Sequence, residues 1–373
     1  MSVLKTHPAV FAVGNSYQIM VPVSKETLMW VEVDGNCYYD DSNGIIRSRT
    51  SIHRMTVPVD TLNHAGKYTV CYREVIERKP YFSETSEIIK VNYDFFPVKP
   101  GKTLAYEIAD AHNLVNEPVA CAKFFEQNYG KIDFLILNGD IPNHSGDIKY
   151  FDAIYEIASA ITEGTRPVIF SRGNHDTRGI YAENIADYTP TDFGNSYYTF
   201  KLGDIWGIVL DCGEDKLDSH PEYGTTICCH EFRKRETCFL KNLINTPESS
   251  YMANDVSRRL VVCHIPFTRR FQEPFNIEEE TYAEWSHILR THIHPDLMIC
   301  GHTHILSIDM PGGDMDALGQ PCPVIVGSRG TKDFAGAGFV FSNDTVTVVF
   351  NTVESIISEQ ELQLKNSKVR ISL

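Results

Sequence analysis

The stretch PVIFSRGNHD, residues 167–176, sets an apolar run directly before a tight turn that carries an amide, an imidazole and a carboxylate. The run 167–170 is short, apolar and followed by turn residues, which is typical of a buried β-strand. Turn chemistry accounts for Gly173 and Asn174, but it does not require His175. The combination predicts functional side chains at the end of a strand, so the ends of the other strands become informative.

From about residue 103 onward, short apolar strands alternate with helical patterns. We predict strands at 104–109, 134–137, 168–170, 205–210, 260–263 and 297–300. We predict helices at 148–161, 230–244 and 278–290. After residue 301 the pattern changes to strands at 323–327, 338–341 and 345–350. The order predicts an α/β domain over 103–352 that ends in antiparallel strands, followed by a segment, 353–373, that the pattern does not place.

The first 96 residues show no helical period and are predicted to form short strands separated by turns. The stretch 60–68 ends in Tyr68 and resembles the corner of an immunoglobulin-like or fibronectin-like sandwich, where a tyrosine hydroxyl binds upstream backbone. We therefore predict a small all-β sandwich domain over 1–96 and a stiff linker over 97–102. A hairpin-rich extension of the next domain is the alternative.

Bulk composition narrows the class of protein. The chain has 373 residues, of which 42% are hydrophobic and 22% charged, as expected for a globular protein of two or three domains. Its net charge of −15 disfavours a nucleic acid polymer as partner. No apolar stretch reaches the roughly 18 residues of a membrane helix, and the run 9–13 is too short for a signal peptide. With ten scattered cysteines and no C-x-x-C pair, we expect a cytoplasmic protein that has reduced thiols and no membrane partner.

Side chains that can bind metals follow five of the predicted strands, in DAH, GD, GNHD, VVCHIP and GHTH. In open α/β sheets, functional residues gather at the carboxyl ends of the strands, so these side chains are expected to meet. The candidates are Asp110, His112, Asp140, Asn174, His264, His302 and His304. In an extended chain, alternate side chains point to the same side, so the two members of a D-x-H or H-x-H pair can bind the same metal ion. The same alternation turns Cys263 away from the side to which His264 points.

These five motifs, in this order, resemble those of the calcineurin-like metallophosphoesterase superfamily over roughly 103–350. The resemblance implies a metallophosphoesterase-type αββα sandwich, here preceded by the small β-sandwich domain. It also implies a dinuclear metal centre, in which one ion is bound by Asp110, His112 and His304, the other by Asn174, His264 and His302, and both by Asp140. Imidazole, carboxylate and amide ligands suit di- or trivalent Mn, Fe or Zn better than Ca or Mg.

The resemblance further implies a reaction, the hydrolysis of a phosphomonoester or phosphodiester. A hydroxide that bridges the two metals would attack phosphorus in line. His175 lies beside a ligand without being one, so we predict that it is the general acid for the leaving group. The expected partner is a small phosphoester or a phosphoprotein, and the oligomeric state is left open. A catalytically silent metal-binding scaffold or binding protein is the alternative.

Some positions depart from the pattern of the superfamily. Many members carry an aspartate that orients the catalytic histidine where this chain has Asn143, and Asp176 is our candidate for that task. Purple acid phosphatases carry D-x-G at the first motif and a metal-binding tyrosine at the position of Asn143. The two-part layout nevertheless resembles that of purple acid phosphatases, without their metal-binding tyrosine.

The residues that would bind substrate are predicted less directly. Protein phosphatases of the superfamily have a phosphate-binding arginine where this chain has His144. Arg172 and Arg178 flank the GNHD motif and are the candidates to replace it. His220 lies in a polar loop after the strand 205–210, where the superfamily shapes its substrate pocket, and a plain surface loop is the alternative.

Overall fold

The computed structural model describes residues 3–330 and 333–364. The strands of these residues are β1 Ala9–Val13, β2 Ser16–Pro22, β3 Thr27–Val33, β4 Asn36–Tyr39, β5 Asp41–Ser42, β6 Ile45–Ile46, β7 Ile52–Pro58, β8 Lys67–Glu77, β9 Glu84–Thr85, β10 Ile89–Asp94, β11 Thr103–Ile108, β12 Phe134–Asn138, β13 Pro167–Ser171, β14 Tyr198–Leu202, β15 Ile205–Leu210, β16 Arg258–Cys263, β17 Leu297–Cys300, β18 Ser307–Asp309, β19 Val324–Val326, β20 Gly336–Phe341, β21 Thr345–Asn351 and β22 Ile356–Gln363. The α-helices are α1 Val59–Ala65, α2 Asn116–Tyr129, α3 Asp152–Thr162, α4 Cys229–Leu243 and α5 Glu279–Ile288.

Two large sheets form the α/β part of the molecule. Within the described residues, the first has the order β22-β21-β20-β11-β12-β13-β1-β2-β7 and the second the order β14-β15-β16-β17-β19-β18. Strands β11, β12, β13 and β1 run parallel in the first sheet. Strands β15, β16, β17 and β19 run parallel in the second. Each sheet therefore has a parallel centre flanked by antiparallel strands.

Alternation along the second sheet separates its two faces. Val262 packs into the large core shared with the first sheet. Its neighbour Val261 packs into a second core with Leu240 of α4 and Trp285 of α5. Helices α2 and α3 pack on strands of the first sheet. These layers confirm the predicted αββα arrangement, and they explain why the central strands are apolar on both faces.

The described N-terminal strands are divided among three sheets, one of them a two-stranded sheet of β5 and β6, which differs from a single sandwich over 1–96. Strands β1, β2 and β7 extend the first large sheet, where β1 lies parallel to β13. Strands β10, β8, β3 and β4 form a separate antiparallel sheet, with β9 paired to β8. Every residue of Ala9–Val13 is buried, as in an internal strand, which explains why β1 joins the larger sheet. An antiparallel β region precedes the α/β part as predicted, but residue 96 does not separate the sheets.

Tyr68 connects the N-terminal strands to the α/β part. Its hydroxyl donates a hydrogen bond of 2.7 Å to the carbonyl of Gly164, and its ring stacks on Tyr93. The sequence predicts a bond to upstream backbone within a sandwich, whereas this acceptor lies 96 residues downstream. The hydroxyl therefore holds two parts of the chain together.

We expect Tyr68→Phe to lower the free energy of unfolding by about 1–2 kcal/mol, because the Gly164 carbonyl would lose its buried donor. Urea denaturation measures the change. The matched control is Tyr81→Phe, since the Tyr81 side chain is 92% exposed. An equal loss in both variants would show that the bond to Gly164 contributes nothing.

The predicted strands of the α/β part all have counterparts that begin and end within two residues of the predicted limits. The helix predicted at 148–161 is a short 3₁₀ turn over Ile148–Phe151 followed by α3. Part of the unplaced segment 353–373 forms β22, which pairs antiparallel with β21, and residues 365–373 lie outside the described residues. Among the described helices, none has both the length and the apolar character required to span a membrane.

Candidate metal centre

The strands that carry the candidate ligands end in unusual backbone conformations. Asp110, His112, Asp140, His302 and His304 all have φ between 45° and 69°, a region that non-glycine residues seldom adopt. Such strain concentrates at functional sites, where the surrounding structure enforces it. The turns redirect the chain so that side chains from both sheets converge.

Glycine allows one of these close approaches. A Cβ atom at Gly173 would lie 2.2 Å from Oδ1 of Asp140, so a larger residue would displace that carboxylate. The glycine of the GNHD motif is therefore required by the packing of two strand ends against each other.

The candidate ligands come together in the fold. Among the described residues, three sets of potential ligand atoms lie within 4.8 Å of one another: Asp110, His112 and His304; Asp110, Asp140 and His264; His112, Asp140 and His175. The remaining two candidates are adjacent, because Oδ1 of Asn174 lies 3.0 Å from Nδ1 of His302, whose ring centroid is 5.5 Å from that of His264. All seven predicted ligands thus occupy one cluster, with His175 at its edge.

Several buried atoms of the cluster have no hydrogen-bond partner among the described residues: Asp110 Oδ1, His112 Nδ1 and His264 Nε2. The Nδ1 atom of His264 is bonded to the main-chain oxygen of Asn138 at 2.7 Å, so Nε2 points into the cluster. It lies 3.3 Å from Asp140 Oδ2 and 3.6 Å from Asp110 Oδ1. A buried polar atom without a partner costs about 1–3 kcal/mol, and a cation would satisfy all three. These residues fit a metal site.

In each of the two aspartates, Asp110 and Asp140, one carboxylate oxygen accepts hydrogen bonds from the protein. Oδ2 of Asp110 accepts hydrogen bonds from the Ser328 hydroxyl and, at 2.9 Å, from the backbone N–H of His302. Oδ1 of Asp140 accepts from the backbone N–H of His175 at 2.8 Å. The second oxygen of each carboxylate faces the histidines, which orients it for a cation.

Electrostatics at the cluster favour positive charge. Burial alone would lower the pKa of His264, but Asp140 and Asp110 more than offset it and raise the pKa to about 10. Burial would likewise raise the pKa of Asp140, yet the charge of His264 outweighs it and holds the pKa well below its usual range. The space between the two carboxylates therefore stabilises a cationic group.

His175 is held at the edge of the cluster by main-chain atoms. Its Nδ1 atom is bonded to the carbonyl oxygen of Asn143 at 2.9 Å, and Nε2 lies 4.0 Å from Oδ2 of Asp140. The side chain remains 32% exposed. Asn143 therefore orients the imidazole through its main-chain carbonyl group. Its side chain, which stands where many members of the superfamily carry an aspartate, does not make this contact.

Asp176 has a different role from the predicted one. Its Oδ2 atom accepts hydrogen bonds from the backbone N–H groups of Gly173, at 2.7 Å, and Asp140, at 3.3 Å. Burial and the nearby charge of Asp140 raise its pKa to about 8. Because the carboxyl group faces these two turns, Asp176 fixes the GNHD turn and leaves the orientation of His175 to Asn143.

The sequence reasoning missed two acidic residues, Glu214 and Asp215. Arg178 forms a bidentate ion pair with buried Glu214, with both N–O distances 2.8 Å, and lies 3.6 Å from Asp215. Its Nη1 atom is thereby placed 3.3 Å from Nε2 of His175. Both acidic residues come just after β15, so the strand-end argument would also have found them.

Residues 106–306, just over half of the chain, match the family of calcineurin-like phosphoesterases. The chain belongs to this family. Its motifs supply the seven clustered ligand candidates, and the match confirms the resemblance seen in the sequence. A comparison of this chain with curated proteins found no match.

Two solved structures illustrate what this phosphoesterase-family chain is similar to. A purple acid phosphatase from yellow lupin (Lupinus luteus) is similar over 96% of this chain and 74% of its own, with a TM-score of 0.60 and 12% sequence identity. A conserved protein of Streptococcus pneumoniae, a predicted phosphoesterase, is similar over 70% of this chain and 98% of its own, with a TM-score of 0.33 and 12% identity. The first likeness confirms a common fold that includes the N-terminal β region.

Three predicted substrate-binding residues of this calcineurin-like phosphoesterase make contacts outside the cluster. Arg172 pairs with Asp211, Nε to Oδ2 at 2.6 Å, and its guanidinium lies over the Phe232 ring. His144 and His220 each accept a hydrogen bond at Nδ1 from the backbone N–H two residues further on. The role of these three residues in substrate binding stays a prediction. The fourth candidate, Arg178, lies beside His175 at the edge of the cluster.

We expect Mn²⁺ to raise the melting temperature of the metal-free protein by about 5 °C at roughly 100 times its Kd, because an ion that binds the folded cluster and not the unfolded chain would stabilise the folded state. Scanning calorimetry with and without Mn²⁺ measures the shift. Asp110→Asn should remove most of it, whereas Asp94→Asn, an exposed residue of β10, should keep it. An unchanged shift in Asp110→Asn would place the ion elsewhere.

Proposed function

We propose that the chain is a dinuclear metal-dependent phosphoesterase that hydrolyses a phosphomonoester or a phosphodiester. The observation that supports this most is the convergence of unpaired buried atoms of Asp110, His112 and His264 beside Asp140. One ion would be held by Asp110, His112 and His304, and the other by Asn174, His264 and His302, with Asp140 shared. The ions would be Mn, Fe or Zn, in view of the donor types.

The charge of the ligand set suits a phosphate substrate. Asp110 and Asp140 are the only acidic residues among the seven proposed ligands. Two divalent ions would therefore leave a surplus of positive charge in an otherwise acidic protein. This local surplus would attract a small phosphoester or a phosphorylated protein, whereas the net charge of −15 opposes long nucleic acids.

Bound metal ions of this type supply hydroxide near neutral pH and neutralise charge that grows on the phosphoryl oxygens. The chain itself supplies the proton for the leaving group. His175 carries it on Nε2, because the Asn143 carbonyl holds Nδ1. The Nη1 atom of Arg178, which can only donate, lies 3.3 Å from that nitrogen. Once Nε2 is protonated, Nη1 would donate to a phosphoryl oxygen instead, and Glu214 fixes the guanidinium.

The deciding experiment is elemental analysis of the purified protein, followed by turnover of a phosphoester panel with the identified metal restored. We expect about two ions per chain and metal-dependent hydrolysis of at least one ester. Bound metal without any turnover would favour the alternative, a metal-binding scaffold. Absence of bound metal would overturn both.

A further inference from the structure

A cavity of about 250 Å³ lies beside the proposed metal centre. His302 and Asp215 form part of its wall, so the cavity adjoins the ligand cluster directly. Small-molecule sites usually measure about 300–1,000 Å³. The size therefore suits part of a small substrate rather than a segment of a protein.

Four aromatic side chains line the cavity: Phe267, Phe271, Phe275 and Tyr282. The ring of Phe271 lies 6.3 Å from the imidazole of His302, at an interplanar angle of 73°. Phe275 is 39% exposed at the mouth. Phe267 and Tyr282 are buried, so the accessible ring faces are those of Phe271 and Phe275. Such faces beside a reaction centre favour a flat aromatic ligand, which stacks on them and displaces water.

The rim of the cavity carries groups that can bind a polar ring edge. Arg270 is exposed and has no carboxylate partner within 3–330 and 333–364, and its Nε atom is bonded only to the carbonyl of Asp314, at 3.4 Å. The neighbouring Arg269 is occupied instead, with Nη1 3.5 Å from Asp309. The Asn276 amide also lines the cavity, as does the carboxylate of Glu279. Donors and acceptors at one rim suit a heteroaromatic ring.

Building on the proposed function, we propose that this cavity binds the leaving group of the substrate and that the leaving group is a nucleoside. With the phosphoryl group at the metals, the base lies against Phe271 and its polar edge reaches Arg270. Water adds its oxygen to phosphorus, the bond between phosphorus and the nucleoside oxygen breaks, and that oxygen takes a proton from His175. The products are a nucleoside and inorganic phosphate.

The test compares two substrates that share the reacting ester, AMP and ribose 5-phosphate, which differ only in the base. We expect kcat/KM to be at least about fivefold higher for AMP, because base stacking on an aromatic side chain corresponds to about 5- to 150-fold in affinity. Phe271→Ala should remove this preference by raising KM for AMP more than it raises KM for ribose 5-phosphate. Phe271→Leu keeps apolar bulk without the ring face and should also lose it.

The control variant is Phe82→Ala, since Phe82 is 88% exposed on the hairpin between β8 and β9. It should leave both substrates unaffected. Equal kcat/KM for AMP and ribose 5-phosphate would overturn the nucleoside inference and leave the proposed function standing. If neither ester is hydrolysed, turnover of the wider phosphoester panel decides the proposed function. Calorimetric titration of adenosine then decides the cavity: binding that weakens in Phe271→Ala supports a nucleoside site, and no binding overturns it.

Discussion

Asp140→Asn is expected to lower kcat/KM for phosphoester hydrolysis by about a thousandfold or more. Asp140 lies close to groups assigned to each ion: its Oδ2 atom is 3.3 Å from Nε2 of His264, and its ligand atom lies within 4.8 Å of that of His112. An amide nitrogen in place of one oxygen would remove a negative charge from the centre of the cluster. Residues that only support metal ligands cost about 10–100-fold when replaced, so loss of the shared ligand should cost more.

Two measurements separate the consequences of this substitution. Elemental analysis should show fewer bound ions in Asp140→Asn, and turnover of p-nitrophenyl phosphate should fall to background. Asp94→Asn provides the charge-matched control, because Asp94 is exposed on β10. Full metal content together with wild-type turnover would refute the shared-ligand role.

His175→Ala is expected to lower kcat for an alkyl phosphate by about 10²–10⁴-fold, the usual contribution of a positioned general acid. The metal content should not change, because His175 is assigned to proton transfer rather than to ligation. The loss should be much smaller for p-nitrophenyl phosphate, whose leaving group departs without a proton. Steady-state kinetics with the two esters and elemental analysis of the variant test both points.

The cluster geometry gives this experiment two informative alternatives. An equal loss for both esters would show that His175 does not protonate the leaving group. A loss of metal would show that it is a ligand, since His112, Asp140 and His175 also present their donor atoms within 4.8 Å of one another.

The clustering of the ligand candidates was predictable because it depends on a property of parallel sheets. Each candidate follows an apolar strand, and the carboxyl ends of those strands meet whatever the details of the loops. The same argument applies to Asp110 after β11 and to His264 after β16, although 154 positions separate them in the chain. Local pattern and global topology agree at this site.

Contacts made by main-chain atoms and buried ion pairs could not be predicted in this way. The carbonyl of Asn143 orients His175, and a carbonyl has the same chemistry in every residue, so the sequence carries no signal for it. Asp176 faces two backbone N–H groups and Arg172 faces Asp211 because of how the loops pack. Such contacts are decided by tertiary structure.

Helix α2 and strand β1 are among the elements that the sequence pattern did not predict. Helix α2 contains Pro118 near its start, a position where proline is tolerated because the first N–H groups of a helix lack intrahelical partners. Strand β1 is five residues long and apolar throughout, so its own sequence cannot reveal which sheet it joins. Its place beside β13 depends on pairing with a distant part of the chain.

That pairing has a consequence for how the polypeptide is made. Val10 is paired with Pro167, so β1 must stay without its neighbour β13 until more than 150 further residues have been synthesised. A fragment that lacks the first 96 residues would expose the hydrogen-bonding edge of β13, the strand that leads into the GNHD turn. We expect such a fragment to aggregate rather than to retain an independent enzyme, which size-exclusion chromatography of the truncated protein would show.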